Sequence, residues 1–183
     1  GGLHGVGASV VNALSENMWV EVKRDNKIYR QEYEAGKPKN DVKEVAKSYI
    51  DGLDNFIKNT GTVVTFFADK KIFPSTDFDF ETVKKAIRER AYLVPGLYFH
   101  LYDKRAGREN EVNYYFEGGI TSLVAKINEN KVGLHKAIYI QKEEAGVEVQ
   151  AALQYNDGYA ENVESYVNVI NTIEGGSHLT GFR

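Results

Sequence analysis

Apolar and polar side chains alternate along Trp19-Val20-Glu21-Val22-Lys23-Arg24 and again along Lys27-Ile28-Tyr29-Arg30-Gln31-Glu32-Tyr33, on either side of Asp25-Asn26. That pattern predicts two half-buried strands joined by a tight turn. Residues 35–59 are polar and irregular, with Gly36, Pro38, Asn40 and Gly52, and read as a long connection carrying a short amphipathic piece. The run Thr62-Val63-Val64-Thr65-Phe66-Phe67 is too short for a helix and apolar enough to predict a central strand. The period then changes. Phe80, Val83, Ile87 and Ala91 recur at helical spacing behind Asp79, a candidate cap, while Lys84, Lys85, Arg88, Glu89 and Arg90 face away and Pro95-Gly96 stops the helix.

A second hairpin is predicted from Leu97-Tyr98-Phe99-His100-Leu101-Tyr102 and Glu111-Val112-Asn113-Tyr114-Tyr115-Phe116, which flank residues 103–107. Glu117-Gly118-Gly119 then starts a helix with Ile120, Leu123, Val124 and Ile127 inward, ending near Asn130. These runs give five strands with helices between, the helices covering one face of a mostly antiparallel sheet. Three further strands follow, at 137–142, 147–155 and 163–170, with turn chemistry at Asn156-Asp157-Gly158. In the second of them Val147, Val149, Ala151, Leu153 and Tyr155 share a face. The change of character places a domain boundary near residue 131, and the whole is an α+β chain.

The 183 residues are 42% hydrophobic and 27% charged, within the range of globular domains. A net charge of −3 supplies no overall basic field for nucleic acid, so any DNA contact must be local. Lys104, Arg105 and Arg108 form a small basic cluster, but Asp103 and Glu109 beside them favour a solvated turn. The absence of cysteine excludes disulfides and thiolate metal sites. His4, His100, His135 and His178 are scattered, and no pair has metal-ligand spacing. No apolar run approaches the roughly 18 residues of a membrane span, and the start lacks a signal-peptide pattern. The cytoplasm is the expected location.

Candidate chemistry concentrates at the start. Gly1-Gly2-Leu3-His4-Gly5-Val6-Gly7 places four glycines in seven residues ahead of Ala8-Ser9-Val10-Val11-Asn12-Ala13-Leu14. A glycine-rich turn feeding a helix can hold a phosphate with backbone amides alone. The spacing fits neither common phosphate loop. Ala8-Ser9 stand where a Walker-type loop has its lysine, and no strand precedes the glycines as a dinucleotide fold requires, although Glu21 lies near the distance of its acidic residue. On these residues alone, phosphate binding stands level with a flexible leader followed by an ordinary helix whose Val10, Val11 and Leu14 face a core.

The segment Gly1 to Ser15 resembles the ATP lid of the B subunit of bacterial type IIA topoisomerases, DNA gyrase before topoisomerase IV. Further stretches agree in order: Thr60-Gly61-Thr62; Asp103-Lys104-Arg105 with Phe116-Glu117-Gly118-Gly119-Ile120; and the ending Asn171-Thr172-Ile173-Glu174-Gly175-Gly176-Ser177-His178-Leu179-Thr180-Gly181-Phe182-Arg183. Together they span the chain. Residues 38–59 are longer than the family pattern.

The resemblance implies the C-terminal part of a GHKL-type ATPase α/β sandwich over residues 1–131, followed by the start of a transducer domain over 132–183. It implies ATP as ligand, held by the amides of Gly2, Leu3, His4, Gly5, Val6 and Gly7. Thr62 would join in reading the adenine and Val64 would line its pocket. Without the family, Thr62 reads as a strand threonine with a satisfied hydroxyl and Val64 as a core valine. The catalytic glutamate, the Mg2+-binding asparagine and the adenine-reading aspartate of the family match nothing in this chain. The expectation is therefore a fragment that has no catalytic or metal-binding residue of its own and does not turn over ATP alone. Glu174 to His178 would enter the transducer helix, with Ser177 as its cap. The implied partners are the gyrase A subunit, DNA and a second copy of the intact ATPase region. The competing expectation is a noncatalytic α+β interaction module with a flexible glycine-rich leader.

Overall fold

The computed structural model describes residues 5–50 and 59–183. They form two compact units, one ending at Asp77 and the other running from Phe78 to Arg183. In the first unit, helix α1 (Gly7–Ala13) leads into strand β1 (Ser15–Arg24), followed by β2 (Lys27–Glu34), β3 (Lys37–Pro38), β4 (Lys43–Val45) and β5 (Gly61–Ala68). The hairpin between β1 and β2 forms as its pattern predicts. Asp25 and Asn26 have φ of 53° and 59°, the left-handed pair that a two-residue turn matching the twist of its strands requires. Trp19 faces Glu32 and Val22 faces Tyr29 across it.

The sheet runs β3-β2-β1-β5, with β4 also paired to β2, and every pairing is antiparallel. Two expectations change here. Among the described residues the strand bearing Thr62 ends that path and pairs with β1 alone, and its apolar run leaves Val64, Phe66 and Phe67 exposed. The connection after residue 34 supplies two short strands that lie on β2, because its polar side chains suit a sheet margin as well as a loop.

In the second unit, helix α2 (Phe80–Leu93) packs on a separate hairpin of β6 (Phe99–Asp103) and β7 (Asn110–Tyr114) and on helix α3 (Ile120–Ile127). The five-stranded sheet is thus completed by β3 and β4, and not by the second hairpin. Ala91 and Tyr92 are buried, and the Tyr92 ring stacks on Phe116 at 3.8 Å. Asp79 caps α2 as expected, accepting from the Thr82 amide at 2.8 Å and the Thr82 hydroxyl at 2.6 Å. Those bonds, the hydroxyl first, hold its carboxyl below the usual range. Replacing Asp79 with alanine is expected to speed amide exchange in the first turn of α2 by about fivefold, read by hydrogen-exchange NMR at Thr82 and Val83.

Beyond α3, β8 (Ile138–Glu144) and β9 (Val147–Leu153) form a two-stranded ribbon. The expected strand over 163–170 is instead the start of a small hairpin, β10 (Tyr166–Val167) with β11 (Ile170–Asn171). Asn168 and Val169 both take positive φ and reverse the chain, which an apolar alternation cannot reveal. Helix α4 (Ser177–Phe182) closes the chain. Its cap is Gly176, at φ 151°, and Ser177 is already helical. Serine is displaced from the cap because the backbone there takes a conformation open to glycine. The two compact units part after residue 77, whereas the expected boundary near 131 falls within the second. Among the described residues no helix is long and apolar enough to cross a membrane.

Candidate functional site

Gly2, Leu3 and His4 lie outside the described residues. Gly5, Val6 and Gly7 are exposed, Gly5 takes φ +63°, and a side chain built at Gly5 or Gly7 meets nothing within 4 Å. Val6 precedes the helix without a capping side chain, and the first bond of α1 runs from the Val10 amide to the Val6 carbonyl at 2.8 Å. Helical geometry leaves the amides ahead of Val10 without an intrahelical carbonyl. Val10 and Val11, which the plain-helix alternative turns into a core, are 49% and 37% exposed, and α1 buries no residue.

Thr62 and Val64 are set by register. Thr62 faces Val22 and Val64 faces Val20 across β5 and β1, so strand alternation puts both on the face that carries Met18 and Phe66. That face is open at this end: Thr62 is exposed, Val64 is 52% exposed and Phe66 41%. The structure brings these two residues together. Helix α1 joins the sheet at the Ser15 end of β1, about 23 Å of strand from Val22.

The opposite face holds a cluster that the alternation pattern hides. Glu21 and Arg30 are register partners, with side chains 1% and 6% exposed. Arg30 donates to Glu21 Oε1 from Nε at 2.8 Å and from Nη2 at 2.5 Å, and to the Lys47 carbonyl at 2.8 Å. The Ser48 hydroxyl and the Tyr49 amide donate to the same carboxylate at 2.6 and 3.1 Å. The guanidinium lies 3.3 Å from the centre of the Tyr49 ring, and the Tyr49 hydroxyl donates to Glu32 at 2.7 Å. Burial works to raise the Glu21 pKa, but the bonds from Ser48, Arg30 and Tyr49 outweigh it and hold the carboxyl below its usual range. The network ties residues 47–49 to β1 and β2 on the face of the sheet opposite the one that bears Thr62 and Val64. A sequence signal existed: on the face shared by Trp19 and Ile28, Glu21 and Arg30 are opposite charges at facing positions, with Lys23 and Glu32 beside them.

Of the basic cluster, Arg105 is paired with its neighbour Asp103. Arg105 donates to both oxygens of Asp103, at 2.9 Å from Nε and 2.5 Å from Nη2, and to the Phe78 carbonyl at 2.7 Å. The Asp103 carboxyl is drawn down to about 2 by those bonds. A second polar network joins α3 to β9: Asn128 donates to Gln154 at 2.8 Å, Gln154 to the His135 carbonyl at 2.7 Å, and Asn156 to Asn128 at 3.0 Å.

The family model for DNA gyrase B matches residues 119–183. The DNA gyrase B protein of Staphylococcus epidermidis is 46% identical over 185 residues, covering 100% of this chain and 27% of that protein. The crystal structure of the 43K ATPase domain of Thermus thermophilus gyrase B, in complex with an aminocoumarin, superposes with a TM-score of 0.83 at 35% identity, over 98% of this chain and 47% of that one. Over its whole length the chain is similar to DNA gyrase B. A gyrase B from Archaeoglobus fulgidus is 44% identical over 183 residues, covering 100% of this chain and 28% of that protein. The topoisomerase IV ATP-binding domain of Francisella tularensis, in complex with a small-molecule inhibitor, gives a TM-score of 0.74 at 26% identity, over 99% of this chain and 46% of that one. The chain thus spans about a quarter of the length of its curated gyrase B relatives, and its α+β fold is that of gyrase B ATPase domains.

Proposed function

We propose that this chain contributes the nucleotide lid and the first part of the transducer to an ATP-dependent type II DNA topoisomerase of the gyrase kind, residues 1–131 belonging to the ATPase domain and 132–183 to the transducer. The observation that carries the reading is chain-long identity to gyrase B. The open glycine backbone at Gly5 and Gly7 and the exposed pair Thr62 and Val64 support it locally.

In this reading the amides of Gly2, Leu3, His4, Gly5, Val6 and Gly7 hold the triphosphate of ATP, and the helix start favours its negative charge. Unsubstituted Gly5 and Gly7 let the backbone approach without steric cost. The Thr62 hydroxyl makes a hydrogen bond at the adenine edge, while Val64 presents apolar surface to the ring. The nucleotide supplies a phosphoanhydride whose cleavage is coupled to strand passage and supercoiling. Among the described residues no group of three His, Asp or Glu could hold a metal ion; in this reading Mg2+ takes its ligands from groups elsewhere in the full-length protein. The same holds for the general base, and the 183-residue chain alone is expected to show no ATP turnover above a heat-killed control. The gyrase A subunit, DNA and a second copy of the ATPase region are the partners of the intact protein, in the cytoplasm.

The test uses the whole gyrase B protein that contains this chain. Thr62→Ala is expected to weaken binding of a non-hydrolysable ATP analogue by about fivefold to tenfold, measured by calorimetry. The unsubstituted protein is expected to hydrolyse ATP faster with DNA and to supercoil it with the gyrase A subunit. Decatenation without supercoiling would assign topoisomerase IV. Neither activity, with Thr62→Ala indistinguishable, would return the chain to the noncatalytic interaction module.

A further inference from the structure

A helix is ordinarily held on a sheet by the apolar stripe that it buries. Helix α1 buries no residue, and Val10 and Val11 stay exposed. Its attachment lies at its C-terminal end and is polar. Asn12 donates from Nδ2 to the Gly36 carbonyl at 3.2 Å. Beside it the Ala35 amide donates to the Glu16 carbonyl at 3.2 Å, and the Asp69 amide to the Leu14 carbonyl at 3.0 Å. Ser15 closes the same end by donating its hydroxyl to the Val11 carbonyl at 2.6 Å.

The turn that receives Asn12 is shaped for contact. Gly36 takes φ +81°, and a Cβ there would stand 3.2 Å from the Cα of Ala13. Glycine takes this left-handed conformation without strain, and a side chain there would crowd the helix backbone. Ala35, at φ 46°, shares the left-handed geometry that brings the turn round. Among the described residues the Oδ1 of Asn12 is buried without a hydrogen-bond partner, a cost that a merely decorative asparagine would shed by turning to solvent. Asn12 is thus held for its amide.

We propose that Asn12 is a positioning residue: its bond to Gly36, on a turn that glycine favours, pins the foot of α1 and so fixes where Gly5 to Gly7 present their amides. This rests on the nucleotide reading above and deepens it. The residue touches no substrate. It sets the direction of the short helix whose other end carries the glycines, a helix whose Val10 and Val11 stay exposed.

Two substitutions in the whole gyrase B protein test the idea. Asn12→Asp keeps the shape but removes the donor. Gly36→Ala keeps the asparagine but pushes the turn away. Each is expected to raise the exchange rate of the Val10 and Leu14 amides by about fivefold and to raise KM for ATP similarly with kcat little changed. The double variant is expected to be no worse than either single one, because both remove one contact. Unchanged exchange in Asn12→Asp would overturn the anchor. Faster exchange with unchanged KM, while Thr62→Ala still raises KM, would overturn the positioning role and leave the nucleotide reading standing. If Thr62→Ala also left KM unchanged, the nucleotide reading would fall and this inference with it. Additive effects of the two substitutions would likewise overturn it.

Discussion

Glu21→Ala is expected to destabilise the first unit by about 3–5 kcal/mol. The loss arises from what stays behind: Arg30, 6% exposed, keeps its bond to the Lys47 carbonyl and its place over Tyr49 but loses its carboxylate. The Ser48 hydroxyl and the Tyr49 amide lose an acceptor in the same step. Urea denaturation followed by circular dichroism measures the difference. The double replacement Glu21→Leu with Arg30→Met is expected to recover most of it, because an apolar pair of similar volume leaves no charge buried. A loss below about 1 kcal/mol for Glu21→Ala would mean that Arg30 reaches water.

Acid acts on the same group. The folded state holds the Glu21 carboxyl below its ordinary 4.5, so the unfolded chain binds the proton first. The stabilising contribution is complete above the ordinary value and declines as pH falls from there through the folded value. The wild-type denaturation midpoint is expected to drop over that interval, and the Leu-Met double variant to show a flatter profile. Equal slopes would remove Glu21 from the account.

Tyr92→Ala is expected to cost on the order of 3 kcal/mol in the second unit. Tyr92 is buried in α2 beside Ala91, with its ring stacked on Phe116. Truncation leaves a ring-sized void where α2 meets its hairpin, and side chains in a close-packed interior relax only partly into such a space. Tyr92→Phe keeps the ring and is expected to stay within about 1 kcal/mol of wild type. Loss of the tyrosine near-ultraviolet dichroism together with an earlier urea midpoint would report the damage. An unchanged midpoint for Tyr92→Ala would show that the stack contributes no stability.

Local pattern revealed most of the elements and few of their relations. Asp25-Asn26 announces its turn because left-handed backbone favours those residue types, and Asp79 announces its helix because a carboxylate at that place satisfies a free amide. The position of β5 in its sheet was not legible, since the apolar run that suits a strand in the middle stands equally at the end of the path with Val64, Phe66 and Phe67 exposed. Asn168-Val169 concealed a reversal within an apolar run, and valine is a residue that rarely takes such a conformation. For the candidate site, the openness of Gly5 and Gly7 follows from composition, whereas Thr62 needed a relative to single it out: a hydroxyl on a strand looks the same whether it meets a ligand or a neighbour. Asn12 and Glu21 escaped notice because their partners, Gly36, Ser48 and Tyr49, come from a connection whose sequence predicts no fixed path.

The chain has a single tryptophan, and its place gives the molecule an optical gauge that needs no label. Trp19 lies opposite Thr65 on the strand that bears Thr62 and Val64, with Tyr49 edge-on at 5.4 Å and Phe67 tilted at 5.5 Å. Among the described residues its indole N–H is buried without an acceptor, so a water molecule admitted by a small tilt of β5 would find a partner there at once and shift the emission to longer wavelength. Fluorescence colour therefore reads, from behind, whatever disturbs the front of that strand.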